Sequence, residues 1–267
     1  MLGKMFVGFD LETGSAFDDP GRKIITEIGA VKYVLTKTGF KPVQVLSLLV
    51  NEGEGVHPDA VEYTGVTTRL IEDFGEDLTS ALSKFTEFIA DADFLVSHNG
   101  DVFDVPVLSD AYDYAKVDSS LFRSKVNIDT MTCVSYPNNC KSRNLTYLQA
   151  FYGFVNPFQH RAFADVMAMM KVLELASGGS DGINKVCEVA MSPQVTYVAK
   201  FNYPREKDHP GSFDIAMKKF NEVKDNVKNF GFRWQPESKN WVYTGKELIF
   251  NKDIKENLLC PVQRIKE

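Results

Sequence analysis

The chain has 267 residues, of which 25% are charged and 44% hydrophobic, a balance that excludes wholesale disorder and allows one large domain or two unequal ones. A formal net charge of −6 excludes a surface coated throughout in basic residues, although the basic excess gathers in residues 193–267 and the acidic excess before them. No run approaches the roughly 20 apolar residues of a membrane span, the N-terminus lacks the pattern of a signal peptide, and Cys133, Cys140, Cys187 and Cys260 show no Cys-x-x-Cys spacing. The expectation is a cytoplasmic protein with free thiols and no membrane contact, in the host cytoplasm if the source is viral.

In chain order, residues 4–12, 24–35 and 43–51 are rich in Val, Ile, Leu and Phe, with Gly, Pro and Asp at the turns between them. This predicts three strands in a meander. Residues 77–92 place Leu78, Ala81, Leu82, Phe85, Phe88 and Ile89 at helical spacing. A short apolar strand over 94–97, a helix over about 105–115 and a strand over 126–129 begin a βαβα alternation. Helices over 145–152 and 161–176 complete it. The expected fold class is α/β, a mixed five-stranded sheet with helices on both faces.

The run Ser177-Gly-Gly-Ser-Asp-Gly182 reads as a loop. It divides the chain into a first domain over 1–180, a linker over 181–194 and a small α/β module over 195–267. The module is predicted to hold a strand over 195–201, a helix over 213–230 and a hairpin over 232–243 turning on Pro236-Glu-Ser-Lys239.

Asp10-Leu-Glu12 stands at the end of the first strand, where period-two geometry puts both carboxylates on one face. Their neighbours Phe6, Val7, Phe9 and Leu11 are apolar on both faces, as in a strand inside a sheet. Carboxylates at the end of such a strand need a partner, and a hard divalent cation supplies one. After the fourth strand comes His98-Asn-Gly-Asp-Val-Phe-Asp104, where α/β sheets place ligand-binding loops. Here Asp104 offers a further carboxylate, while Asp101 or Asp104 would alternatively cap the helix, Asp101 fitting that role better. Finally, His160-Arg-Ala-Phe-Ala-Asp165 opens the last long helix of the first domain. Five helical residues turn through about 140°, so His160 and Asp165 converge only if His160 lies in the preceding loop. Each motif alone has a commonplace reading as surface charge or cap.

Together, in this order and on these elements, the motifs resemble the DEDDh exonucleases, the family of bacterial proofreading subunits and oligoribonuclease. The match runs through Phe9-Asp-Leu-Glu-Thr13, His98-Asn-x-x-x-Phe-Asp104 with Leu108 beyond, and His160-x-Ala-x-x-Asp165. Weaker stretches are Ile25-Thr-Glu-Ile-Gly-Ala-Val31, Tyr63-Thr-Gly-Val-Thr67, Ile128-Asp-Thr130 and Asn144-Leu-Thr-Tyr-Leu148. One departure is an additional residue between Asn99 and Phe103.

The resemblance implies an RNase H-like fold and a 3′→5′ exonuclease releasing nucleoside 5′-monophosphates. It further implies two divalent cations, Mg²⁺ or Mn²⁺, held by Asp10, Glu12, Asp104 and Asp165. His160 would accept a proton from the attacking water, and Leu11, Thr13 and Asn99 would contact the terminal nucleotide. The partner would be nucleic acid with a free 3′ end, DNA favoured, with a polymerase or other replication protein as a possible associate. The alternatives are an oligoribonuclease-like RNA exonuclease and a non-catalytic nucleic-acid-binding subunit. In the C-terminal module, Trp234 and Trp241 lie in Gly231-Phe-Arg-Trp-Gln-Pro-Glu-Ser-Lys-Asn-Trp241 near Lys224, Lys228, Lys239 and Lys246. That pattern fits either base stacking on a single strand or a cross-strand pair inside a hairpin.

Overall fold

The computed structural model describes residues 1–16, 19–137, 139–201, 213–230 and 232–265. They fall into two compact units, Met1–Ala190 and Met191–Glu267.

The first unit opens with the predicted meander, β1 (Met5–Thr13), β2 (Ile25–Thr36) and β3 (Gly39–Asn51), paired antiparallel. There follow α1 (Pro58–Thr64), α2 (Thr68–Phe74), β4 (Glu76–Asp77), α3 (Leu78–Phe88), β5 (Phe94–Ser97), α4 (Asp104–Ala115) and α5 (Ser120–Ser124). The unit closes with β6 (Asn127–Asp129), α6 (Thr130–Cys133), α7 (Leu145–Phe151), α8 (Ala162–Ser177) and α9 (Ser180–Met191). The sheet order is β4-β3-β2-β1-β5-β6, with β5 parallel to β1 and β6 parallel to β5. Five strands were expected and there are six. The additional β4 is two residues long and parallel to β3, too short for any alternation to announce it.

Both faces of β1 are buried because both are covered by helices. Val7, Phe9 and Leu11 pack with Leu82 and Phe85 of α3, Leu108 of α4 and Phe122. On the other face Phe6 packs in a second cluster with Val166, Met169 and Leu173 of α8 and Ile183 of α9. Asp77 caps α3 by accepting the Ser80 N–H at 3.0 Å, which fixes where strand gives way to helix. Among the described residues no helix is long and apolar enough to cross a membrane.

The expected linker over 181–194 is instead largely α9. Ile183, Val186, Cys187 and Ala190 form a buried helical stripe in the second cluster. The preceding glycines end one helix and start the next: Gly178 caps α8 at φ 65° and Gly179 follows at φ 116°, conformations that glycine adopts without strain.

The second unit contains β7 (Gln194–Ala199), α10 (Phe213–Asn229), β8 (Arg233–Gln235), β9 (Asn240–Lys246), α11 (Glu247–Ile249) and β10 (Val262–Ile265). Its sheet, ordered β10-β7-β9-β8, is antiparallel. It has its own core, with Val195, Val227, Phe232, Tyr243 and Phe250 at its centre. Trp234 and Trp241 stand directly opposite across the hairpin, ring centroids 5.9 Å apart, with Trp241 packed on that core. Trp234 remains 48% exposed. Gly231 lies outside the described residues.

Candidate active site

Bare backbone at two positions brings α8 onto the strand that carries the first two carboxylates. In the β1–β2 ladder Asp10 lies opposite Gly29 and Glu12 opposite Glu27. A Cβ on Gly29 would stand 2.2 Å from the backbone nitrogen of Phe163, and one on Gly8 would stand 2.7 Å from Val166 Cγ1. Glycine alone therefore permits the first turn of α8 to lie against β2. That turn carries Asp165. As a result, ligand oxygens of Asp10, Glu12 and Asp165 all lie within 4.8 Å of one another.

Asp104 reaches the same place from β5. That strand pairs with β1 only at Phe6, Val7 and Gly8, and beyond it the Leu11 N–H donates to Asp104 Oδ1 at 3.1 Å. Neither acid of the loop caps α4. Its N-cap is Phe103, without a side-chain bond, and Asp101 Oδ1 accepts from Asn127 Nδ2 at 2.8 Å. The loop itself is organised by Asp129, which is 1% exposed. Its carboxylate accepts the N–H groups of Asn99 at 2.9 Å, Asp101 at 3.1 Å and Met131 at 2.9 Å. These bonds accommodate the additional loop residue and hold Asn99 at φ 64°, a region asparagine tolerates better than most.

His160 lies in the loop before α8, as convergence with Asp165 requires, and its φ is 61°. Its backbone N–H donates to Asp165 Oδ2 at 2.9 Å, while Asn156 Nδ2 donates to Asp165 Oδ1 at 2.9 Å. The imidazole lies against the ring of Tyr63, centroids 3.7 Å apart.

Asp10, Leu11, Glu12, Thr13, Asn99, Asp104, His160 and Asp165 all line one cavity of about 300 Å³. Leu11 is 4% exposed, and its side chain belongs to the first core. His98 and Tyr63 also line the cavity, although sequence reasoning gave neither a role. Both fall inside stretches that carried the resemblance, which was their only signal.

The carboxylates strain against one another. Burial, and then the charges of Asp104, Glu12, Asp165 and Glu27, push the Asp10 carboxyl well above the usual range. Burial followed by Asp165, Glu27 and Asp104 raises Glu12 to about 8, with Arg161 opposing. Burial raises Asp104 to about 7 despite its bond from Leu11, and raises Asp165 against the bonds from His160 and Asn156. Such a cluster calls for cations. Its donors are hard carboxylate oxygens, and their spread is close to the roughly 4.2 Å between opposite ligands of a Mg²⁺-sized ion. The residues present therefore fit a divalent metal.

The RNase_T exonuclease family matches the chain over residues 7–173, from β1 into α8. No curated protein sequence matches it. Among solved structures, Escherichia coli exonuclease I in complex with a dT13 oligonucleotide is 16% identical, with 73% of this chain and 48% of that chain covered and a TM-score of 0.57. The zinc-bound complex of the E. coli enzyme with single-stranded DNA gives 16%, 73%, 48% and 0.56. A product-bound exonuclease I gives 14%, 73%, 51% and 0.56. The chain spans about half the length of these proteins, and the likeness is one of fold. The family match covers well over half of the chain and includes each carboxylate and both histidines of the cavity, so the chain belongs to the RNase_T exonuclease family.

Proposed function

We propose that this chain is a metal-dependent 3′→5′ exonuclease that shortens single-stranded DNA and releases nucleoside 5′-monophosphates. The observation that carries this reading is the gathering of Asp10, Glu12 and Asp165 within 4.8 Å, on a cavity shared with Asp104 and His160. Family membership supports hydrolysis of nucleic acid. DNA is favoured because the E. coli exonuclease I of like fold binds dT13 and dA16 oligonucleotides.

In this reading Asp10, Glu12, Asp104 and Asp165 hold two divalent cations, Mg²⁺ or Mn²⁺. When bound, the cations supply Lewis-acid stabilisation of the charge that develops on the phosphate and on the leaving 3′ oxygen. His160 takes the proton of the attacking water on a ring nitrogen, the general-base task that histidine performs most often. Its ring lies against that of Tyr63, and both residues line the cavity. Thr13 and Asn99, which flank the cluster on β1 and on the loop after β5, meet the terminal nucleotide, and Leu11 forms part of the floor.

The test follows a single-stranded DNA oligonucleotide labelled at either end, in Mg²⁺ or Mn²⁺, beside the matching RNA. The 3′-labelled strand is expected to give labelled mononucleotide at once, and the 5′-labelled strand a ladder of shortening products. A ladder from the 3′ label would reverse the polarity. Faster loss of RNA than of DNA would overturn the choice of substrate.

A further inference from the structure

Glu27 is 0% exposed and stands across the ladder from Glu12, so its carboxylate faces the side of the sheet that already carries the acid cluster. It is not among the residues lining the cavity, yet its charge adds to the burden on both Asp10 and Glu12. A fifth acid in that place makes the metal-free site harder to charge, so its use must lie in what it holds. Arg161 Nε donates to Glu27 Oε2 at 3.0 Å and Arg161 Nη2 to Oε1 at 3.2 Å, a planar fork on a carboxylate. The Ala162 N–H also donates to Oε2, at 3.4 Å.

Arg161 is the N-cap residue of α8 and makes no side-chain cap bond. A guanidinium has no acceptor to offer a helix N-terminus. Glu27 supplies the missing acceptor from a different element, with a negative charge at the end of the helix that favours one. The residue before Arg161 is His160, in the left-handed region at φ 61°. Histidine enters that region more readily than most side-chain-bearing residues, but holding it there still carries a cost that the surroundings must offset. Three holds are visible: its N–H on Asp165, its ring on Tyr63, and the fork that ties the next residue to β2.

We infer that Glu27 and Arg161 are a positioning pair for His160, clamping the junction of loop and helix in the one backbone conformation that sets the imidazole on the cavity. The pair acts on the reaction through His160 and touches neither substrate nor metal. This rests on the reading of His160 as the proton acceptor.

The test compares Arg161→Lys, which keeps the charge and loses the fork, with Glu27→Gln, which keeps the shape and loses one acceptor. Each is made in the full chain, alone and combined with His160→Ala. With single-stranded DNA, each single variant is expected to lower kcat by about 10- to 100-fold while KM changes by less than about 3-fold. On the His160→Ala background the same substitutions should cost less than about 3-fold more, since the group they position is gone. Losses that multiply instead, or a rise in KM carried by Arg161→Lys alone, would overturn the inference and make Arg161 a phosphate contact or a structural residue. The His160 Cε1–H NMR resonance, assigned by its absence in His160→Ala, gives a readout independent of turnover. It should move in both variants, and an unmoved resonance would also overturn the inference. If the wild type cuts no nucleic acid, the proposed function fails by itself, and the resonance still decides whether the pair positions His160.

Discussion

Asp10 and Glu12 were legible because a strand has period two, and apolar neighbours on both faces of β1 left two acids with no ordinary reason to be there. Their electrostatics carry a prediction. Glu12 holds its proton to about 8 in the folded chain against an ordinary 4.5, and Asp104 to about 7 against 3.8. Between those limits the folded state binds more protons than the unfolded one, so the metal-free protein loses stability as pH rises from about 4 to about 8 and levels off above. Melting followed by circular dichroism in EDTA should give a lower Tm at pH 9 than at pH 6. Mn²⁺ should raise Tm more at pH 9, where the ligands are ionised. A Tm that does not fall over this range would mean the cluster is solvated rather than confined. Glu27, Tyr63 and Asp129 stayed silent in the sequence as functional residues. Their roles depend on cross-strand register, on a ring contact and on three loop N–H groups, none of which residue spacing encodes.

Among the elements, α8 does most to assemble the site, and its placement depends on Gly29. Gly29→Ala would put a methyl 2.2 Å from the backbone nitrogen of Phe163, and backbone cannot yield as a side-chain tip can. The expected cost is about 1–3 kcal/mol in urea denaturation, with a fall in nuclease rate because α8 carries Asp165 away from Asp10. Wild-type stability and rate would show that α8 does not need this close approach. Strands and helices with a continuous apolar pattern, such as β1 and α3, were readable from periodicity. The segment after Gly178 was not: four small or charged residues around Ser180 masked a stripe that begins only at Ile183. The glycines that suggested a linker are the turn between α8 and α9. The mixed sheet could be read as a class, and its two-residue edge strand could not.

For the whole molecule, separate cores in the two units predict that residues 1–191 fold without the remainder. A fragment of that length should melt cooperatively and keep metal-dependent nucleotide release. A fragment that stays unfolded would show that the first unit's core is not sufficient. The account as a whole stands on the acid cluster being the cutting centre. The most direct measurement is the rate of nucleoside 5′-monophosphate release from single-stranded DNA by the wild type and by Asp10→Asn, each with Mg²⁺, with Mn²⁺ and with EDTA. The account predicts release by the wild type with either metal, none in EDTA, and a loss of at least about 10³-fold in Asp10→Asn, since its failure removes a charge-stabilising centre worth several kcal/mol. Release that survives EDTA, or an Asp10→Asn protein as fast as the wild type, would contradict it.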